Sequence, residues 1–244
     1  MVSHLDPGTT YYYKAYLNLG KSYLVGDIRQ FTTVSVSSLP ETITVYGYEC
    51  VDLGLPSGLI WATMNVGASS PEEYGDYFAL GETKPKSSYS WSTYKWCNGA
   101  DNKLTKYCTQ SDYWDGAGPM DNKTVFDLED DAAYVHWGGS WRMPTLADYR
   151  DLLDKCTWTW TWISQNGVDG DKVIGPNGNS IFLPAAGLRS GTNLYDVGSD
   201  GHYWSSSLNA DHPGGALRVS FDSGEVIRGS YSRYYGLSIR PVSE

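Results

Sequence analysis

The stretch Gly138-Gly-Ser-Trp-Arg-Met-Pro-Thr-Leu-Ala-Asp-Tyr-Arg-Asp-Leu-Leu-Asp-Lys155 decides the fold class. Thr145 marks a helix start. Its hydroxyl can accept from the backbone N–H three residues on, and Asp148 stands at the third helical position, which makes a close relative of a capping box. Pro144 blocks extension upstream. Leu146, Tyr149, Leu152 and Leu153 recur at helical spacing and form one apolar stripe. Asp148, Arg150, Asp151 and Asp154 mostly take the other face. Nearly everything else reads as short strands, turns and Gly/Asn/Asp/Ser loops. The expected class is therefore α+β, loop-rich, with one helix covering one side of a β core.

Working outward, Thr157-Trp-Thr-Trp-Thr-Trp162 follows the helix. Trp158, Trp160 and Trp162 share one face of a strand, and a core-facing ladder is preferred over a carbohydrate platform. Asn166-Gly167 and Asn177-Gly178 are hairpin signals around Lys172-Val-Ile174 and Ser180-Ile-Phe-Leu-Pro184. His202–Ser207 and Ala216–Phe221 read as strands, with Leu217, Val219 and Phe221 facing one way and Arg218, Ser220 and Asp222 the other. Val226-Ile-Arg228, a loop over 229–236 and a closing strand Leu237–Val242 complete the chain; Pro241 suits an edge position. Upstream, Glu49–Leu53 and Leu59–Met64 read as strands. Residues 81–120 form a long polar insertion, of a kind that is either functional or packed onto the core by its Tyr and Trp residues. Asp127–Val135 reads as a short helical turn.

Residues 1–33 stand apart as a hairpin, residues 34–44 as a Ser/Pro-containing linker, and residues 45–242 as the main domain. A lone hairpin is marginal in water.

Composition bounds the function. With 10 Trp and 20 Tyr, the chain can bury a core and still present aromatics for binding. Net charge is −10, which argues against nucleic acid or an anionic membrane as partner. No apolar run approaches the ~18 residues of a spanning helix. Met1-Val-Ser-His-Leu-Asp6 has neither the basic start nor the apolar core of a secretory signal. Cys50, Cys97, Cys108 and Cys156 show no zinc spacing. Cys97 and Cys108 either staple a loop in an oxidising compartment or stay free.

Five ordered stretches resemble a known family: Val51-Asp-Leu-Gly-Leu-Pro-Ser-Gly-Leu-Ile-Trp-Ala62, Gly75-Asp-Tyr-Phe-Ala-Leu-Gly-Glu82, Gly139-Ser-Trp-Arg-Met-Pro-Thr145, Phe182-Leu-Pro-Ala-Ala-Gly187, and Tyr203-Trp-Ser-Ser-Ser207 with Ser238-Ile-Arg-Pro-Val242. Together they look like the Fibrobacter succinogenes major paralogous domain, common in exported proteins of gut bacteria. Residues 1–33 resemble the last hairpin of a fibronectin-III or Ig-like domain. The resemblance implies a C-type-lectin-like fold of the formylglycine-generating-enzyme subtype and an extracellular or cell-surface location. The same fold carries the variable proteins of diversity-generating retroelements, and residues 202–240 resemble their diversified segment.

The enzyme of that fold needs a cysteine pair near its C-terminal site, and no cysteine follows Cys156. The Glu-Pro-Asn, Gln-Pro-Asp and Trp-Asn-Asp strings of calcium-dependent lectins do not occur. No metal or other cofactor is expected. Asp169-Gly-Asp171 and Ser199-Asp-Gly201 carry oxygen ligands suited to a structural calcium ion, with ordinary turns as the simpler reading. Gly-x-Ser-x-Gly is missing, and His202 or His212 beside Ser205–Ser207 has no triad logic. Glu72/Glu73 and Asp130/Asp131 read as solvated charge.

The expectation is thus a non-enzymatic module that binds a protein or glycan through its C-terminal loops. Its candidate ligand-binding residues are Asn209, Asp211, His212, Arg218, Ser220, Asp222, Arg228, Ser230, Tyr231, Ser232, Arg233 and Tyr234, a Tyr/Ser/Asn/Arg composition typical of paratopes. Arg189, Arg240 and Tyr203 read as framework. The alternative is a structural subunit of a surface fibre; a polysaccharide-acting enzyme ranks last.

Overall fold

The computed structural model describes residues 9–18, 20, 22–32, 42–159 and 167–244. Trp160, Trp162, Asn166, His4, the turn residues Leu19 and Lys21, and residues 34–41 of the expected linker lie outside them. The chain divides into two compact units, residues 1–41 and 42–244.

In the first unit, β1 (Thr10–Tyr13) pairs antiparallel with β4 (Arg29–Thr32), and β2 (Tyr16–Asn18) with β3 (Tyr23–Val25). Tyr11 stacks on Phe31 at 5.8 Å. Tyr12, Tyr16, Leu17, Tyr23, Leu24 and Ile28 are exposed.

The second unit is dominated by strands with few helices. Its first sheet runs β16 (Val242–Ser243), β7 (Ile60–Ala62), β6 (Tyr48–Asp52), β5 (Thr42–Val45). Residues 42–44, expected in the linker, therefore belong to a strand: Thr42 and Ile43 pair with Val51 and Cys50. A helix pair follows, α1 (Ala132–Trp137) and α2 (Leu146–Lys155). The expected capping box of α2 is present, with Thr145 Oγ1 accepting from Asp148 N–H at 3.1 Å and Asp148 accepting from Thr145 N–H at 2.7 Å. Tyr149 and Leu152 are buried; Leu146 and Leu153 are half-buried.

Three further sheets follow. The first is β8 (Thr157–Thr159) with β9 (Gly170–Ile174) and β10 (Ser180–Pro184), and the second is the hairpin β11 (Leu188–Ser190) with β12 (Asn193–Tyr195). The third is β13 (Gly201–Leu208), β14 (Gly215–Phe221) and β15 (Val226–Ser232). Trp158, the described member of the tryptophan series, packs against the main core and donates to Leu152 O at 3.2 Å.

The main core joins Val51, Leu53, Trp61, Tyr149, Leu152, Val173, Leu183, Tyr203, Val219 and Phe221. A second core gathers Phe78, Leu80, Met143, Leu188, Trp204, Ala216, Leu237 and Ile239 on the opposite face of the third sheet. The insertion supplies a third from Tyr77, Tyr89, Tyr94, Leu104 and Cys108. Its aromatics do pack it onto the body. All four cysteines are free thiols.

The closing strand is shorter than expected. Only Val242–Ser243 is regular strand, while Leu237 bridges Phe78 and Ser238 bridges Tyr203. Pro241 is buried, and its carbonyl accepts from Ala62 N–H at 3.0 Å. Arg240 is buried as expected and donates to Asn65 Oδ1 (2.9 Å), Ala62 O (3.1 Å) and Thr63 O (2.8 Å). Asp130 and Asp131 are also buried, not solvated. Asp131 caps α1 through Tyr134 N–H and holds Met143 N–H; Asp130 accepts from Tyr107 and two lysines.

No helix among the described residues is long and apolar enough to cross a membrane.

Candidate ligand-binding site

The register of the third sheet decides which C-terminal side chains meet solvent. His202 pairs with Ser220, Trp204 with Arg218, and Ala216 with Tyr231. Paired residues share a face, so His202, Trp204, Ala216, Arg218, Ser220 and Tyr231 lie together. The alternation expected for β14 holds, with Val219 and Phe221 in the main core. Leu217 is half-buried.

The face expected to be outward is covered. Arg218, Ser220 and Arg233 are buried, which corrects their reading as surface contacts. Trp204, Leu188 and Leu237 pack over that side, and Tyr231 lies on the Arg218 guanidinium at 3.9 Å from its ring centre. Arg233 is 1% exposed and is framework: its Nη2 donates to Tyr107 O at 2.9 Å and its Nε to Gly215 O at 3.3 Å. It ties the insertion to the sheet.

The remaining candidates split. Asp211, His212, Arg228 and Ser230 are exposed; Asn209, Asp222, Tyr231, Ser232 and Tyr234 are half-buried. Asn209 Oδ1 accepts from the N–H groups of Asp211 and His212, and Asp222 Oδ1 from Gly224 and Glu225, so both fold their own turns. His212 Nδ1 meets Tyr113 OH at 2.8 Å, and Gln110 donates to Ala210 O at 2.8 Å. Tyr234 packs edge-on to Trp91 at 5.2 Å and beside Tyr235 at 4.4 Å.

Tyr231 and Tyr235 wall a cleft of about 290 Å³ with Leu188, Ser190, Tyr195 and Asp196. That is the lower end of small-molecule sites, ~300 Å³. The β11–β12 hairpin builds the far wall. Its two-residue turn starts at Gly191 with φ +56°, a backbone that suits glycine. Gly191 and Tyr89 exchange both backbone hydrogen bonds (2.8 and 2.7 Å), as do Arg189 and Gly236 (2.8 and 3.0 Å). The wall is therefore pinned at its tip and its base. Arg189 is half-buried, as expected, and stacks on Tyr77 at 5.1 Å. Asp196 sits at φ +58°, and its carbonyl accepts from the N–H of Ser199 and of Asp200.

Sequence reading missed Leu188, Ser190, Tyr195, Asp196 and Tyr235. The Gly191-Thr192 pair flanked by Leu188-Arg-Ser190 and Asn193-Leu-Tyr195 is the hairpin signal that could have found three of them.

Against Tyr231 lie two buried polar groups. Arg218 is 6% exposed and His202 is 4% exposed. Arg218 Nε and Nη1 and His202 Nε2 have no hydrogen-bond partner among the described residues. His202 Nδ1 meets Ser220 Oγ at 2.5 Å. Burial, then the nearby Arg218 charge, holds His202 down to about 4, so the ring is neutral near pH 7. Burial also pulls Arg218 down, with Tyr231 opposing.

Elsewhere, Asp127, Glu129 and Asp130 bring carboxylate oxygens within 4.8 Å of one another. The Lys106 ammonium already stands among them, at 2.7, 3.7 and 2.6 Å respectively. Asp169 and Asp171 do not join such a group among the described residues. Asp171 is fully buried with neither oxygen bonded, and burial pushes it up to about 8.

No family model matches the chain, and neither a curated protein nor a solved structure matches it.

Proposed function

We propose that this chain is a non-enzymatic recognition module of C-type-lectin-like fold, displayed at a cell surface, which takes its ligand in the Tyr195/Tyr231/Tyr235 cleft. The observation that carries this reading is the cleft itself: three tyrosines on a pinned hairpin and a packed sheet edge. Tyrosine gives rigid, amphipathic contact area at low entropic cost, and its rings stack on sugars or peptide side chains alike. Three of the sequence stretches that resemble the Fibrobacter succinogenes major paralogous domain also meet in space, Trp61 pairing with Val242 and Arg142 bridging Val242. That supports the fold assignment and, through it, the surface location.

The test is a glycan and surface-protein binding screen of the whole chain, repeated with Tyr195→Ala. Tyr195 is 46% exposed, so its loss should leave the melting temperature within about 2 °C, as for surface changes generally. Binding should fall at least tenfold. Unchanged binding would move the site elsewhere, first to the Trp/Tyr-rich insertion.

A second reading is favoured by a different observation. The hairpin of residues 10–32 exposes Tyr12, Tyr16, Leu17, Tyr23, Leu24 and Ile28. Such a patch marks an interaction surface. Assembly through it, as in a surface fibre, predicts self-association that disappears when residues 1–41 are removed.

A further inference from the structure

We infer that the cleft is built for an acidic sugar, a single carboxylate carried on a hydroxylated ring, with Arg218 as its counter-charge. The inference rests on the recognition reading above and names its ligand class.

The argument starts from an imbalance. The second unit buries three arginines completely or nearly so. Arg240 donates to three acceptors and Arg233 to two, and each leaves one Nη without an acceptor among the described residues. Arg218 leaves Nε and Nη1 without an acceptor, and no carboxylate lies within ion-pair distance of it among the described residues. Its partner is the neutral Tyr231, whose ring centre lies 3.9 Å from the guanidinium; a buried cation that lacks an anionic partner is unfavourable, and methionine would fill the same volume without that cost. The neighbouring His202 adds a third unmet buried group at Nε2. The Ser220 hydroxyl can donate to Nδ1, and in that tautomer the neutral ring carries its proton on Nε2. Three buried donors then lack an acceptor among the described residues. An acceptor-only group answers that pattern, and a carboxylate matches the planar guanidinium fork.

Access is a matter of one side chain. Tyr231 separates the cleft from the guanidinium, 3.9 Å from Arg218 and with its ring centre 5.5 Å from that of His202. Gly229, directly opposite Arg218 in the register, puts no side chain over it; a Cβ there would sit 3.4 Å from Nη2. Rotation of Tyr231 would therefore open the guanidinium to the cleft.

The rest of the lining sets the ligand's other half. Tyr195 and Tyr235 offer ring faces, and Ser190 and Asp196 offer groups for hydroxyls. Asp196 on the wall, and Asp200 close enough to raise His202 slightly, oppose a highly charged ligand such as a phosphate. One negative charge with several hydroxyls fits both constraints.

The experiment compares glucuronate, glucose and acetate by calorimetry and by NMR of the tyrosine rings, using the whole chain at low salt. Glucuronate should bind at least tenfold tighter than glucose, acetate weaker than either, and glucuronate alone should raise the melting temperature. Arg218→Met should reduce glucuronate to the level of glucose. It should also raise the ligand-free melting temperature, because a buried charge with no anionic partner is gone. If glucose shifts the cleft tyrosines and glucuronate binds no better, the carboxylate assignment fails while the recognition cleft stands. If no sugar shifts them and an acidic peptide does, the sugar class is wrong. A drop of several degrees in Arg218→Met would show that the guanidinium is satisfied by the fold and would overturn the inference.

Discussion

At the residue scale, burial separates arginines that look alike in sequence. Arg228, Arg233 and Arg218 sit within one C-terminal stretch, and alternation alone places none of them indoors. What buries Arg233 is the carbonyl of Tyr107, contributed by an insertion over a hundred residues away. Its replacement by methionine orphans two buried carbonyls and should cost roughly 2–4 kcal/mol, from hydrogen bonds to a charged group. Arg228→Met, at an exposed position, should stay within about 0.5 kcal/mol. Urea denaturation of the two variants checks the contrast; equal losses would mean that the Arg233 bonds contribute nothing. Asp171 yields a pH signature. Its folded value near 8 lies above the unfolded carboxylate value of about 4, so its proton is held more tightly in the folded state. The associated stability is complete below about pH 4 and is lost as the pH rises through about 8. Asp171→Asn should therefore melt close to the parent at pH 4 and clearly above it at pH 9. Parallel Tm–pH curves for the two proteins would show that Asp171 does not titrate in that window.

At the element scale, α2 shows what sequence can carry. Its cap, its proline stop and its apolar stripe are all local, and the helix forms where they say. Thr145→Ala should cost about 1 kcal/mol, the usual worth of an N-cap; thermal unfolding showing no loss would mean that Ser207, whose Oγ accepts from Leu146 N–H at 2.9 Å, suffices to hold the helix start. The other end of the chain shows the limit. Gly229 to Ser232 have a loop's composition, yet they extend β15, because Gly215–Arg218 offer them a pairing edge. Local propensity had no access to that partner. The acidic pair fails in the same way: Asp130 looks solvated until Lys106 arrives from the insertion and bonds it together with Asp127. Burial alone would pull Lys106 down, but hydrogen bonds to Asp127 and Asp130 more than restore it, and Lys106 and Lys123 in turn hold Asp127 down to about 2. Lys106→Met should thus destabilise the protein and make its melting temperature rise with added calcium, while the parent stays insensitive. A calcium response in the parent would show that the ion competes successfully with the ammonium.

At the scale of the whole second unit, the last eight residues hold the layers to one another. Leu237 bridges Phe78, Ser238 bridges Tyr203, Arg240 grips the backbone after β7, and Val242 sits between Trp61 and Arg142. Sequence reading found the motifs at these positions and the framework role of Arg240, because their residue types are distinctive. It did not find that the segment is divided among several partners, since each pairing is a single bridge with no periodic trace. The cleft was missed for the same reason: one wall comes from β11–β12 and the other from β15, and only the fold brings them together. The consequence is an asymmetry between the two ends. Every residue from Gly236 to Ser243 is buried, and both main cores take side chains from this segment. Ending the chain at Gly236 should therefore abolish cooperative unfolding, leaving weak near-ultraviolet circular dichroism and exposed apolar surface that binds a hydrophobic dye. The truncation removes Leu237 and Ile239 from one core and Val242 from the other, and it orphans the acceptors of Arg240, so no single rescue should suffice. Adding the missing peptide, residues 237–244, in trans should restore a transition only at high concentration, because the segment must then bear its own association cost. A truncated chain that melts sharply unaided would place the closure of the layers in β13–β14 and α2, with the terminal segment as a seal over a core that is already formed.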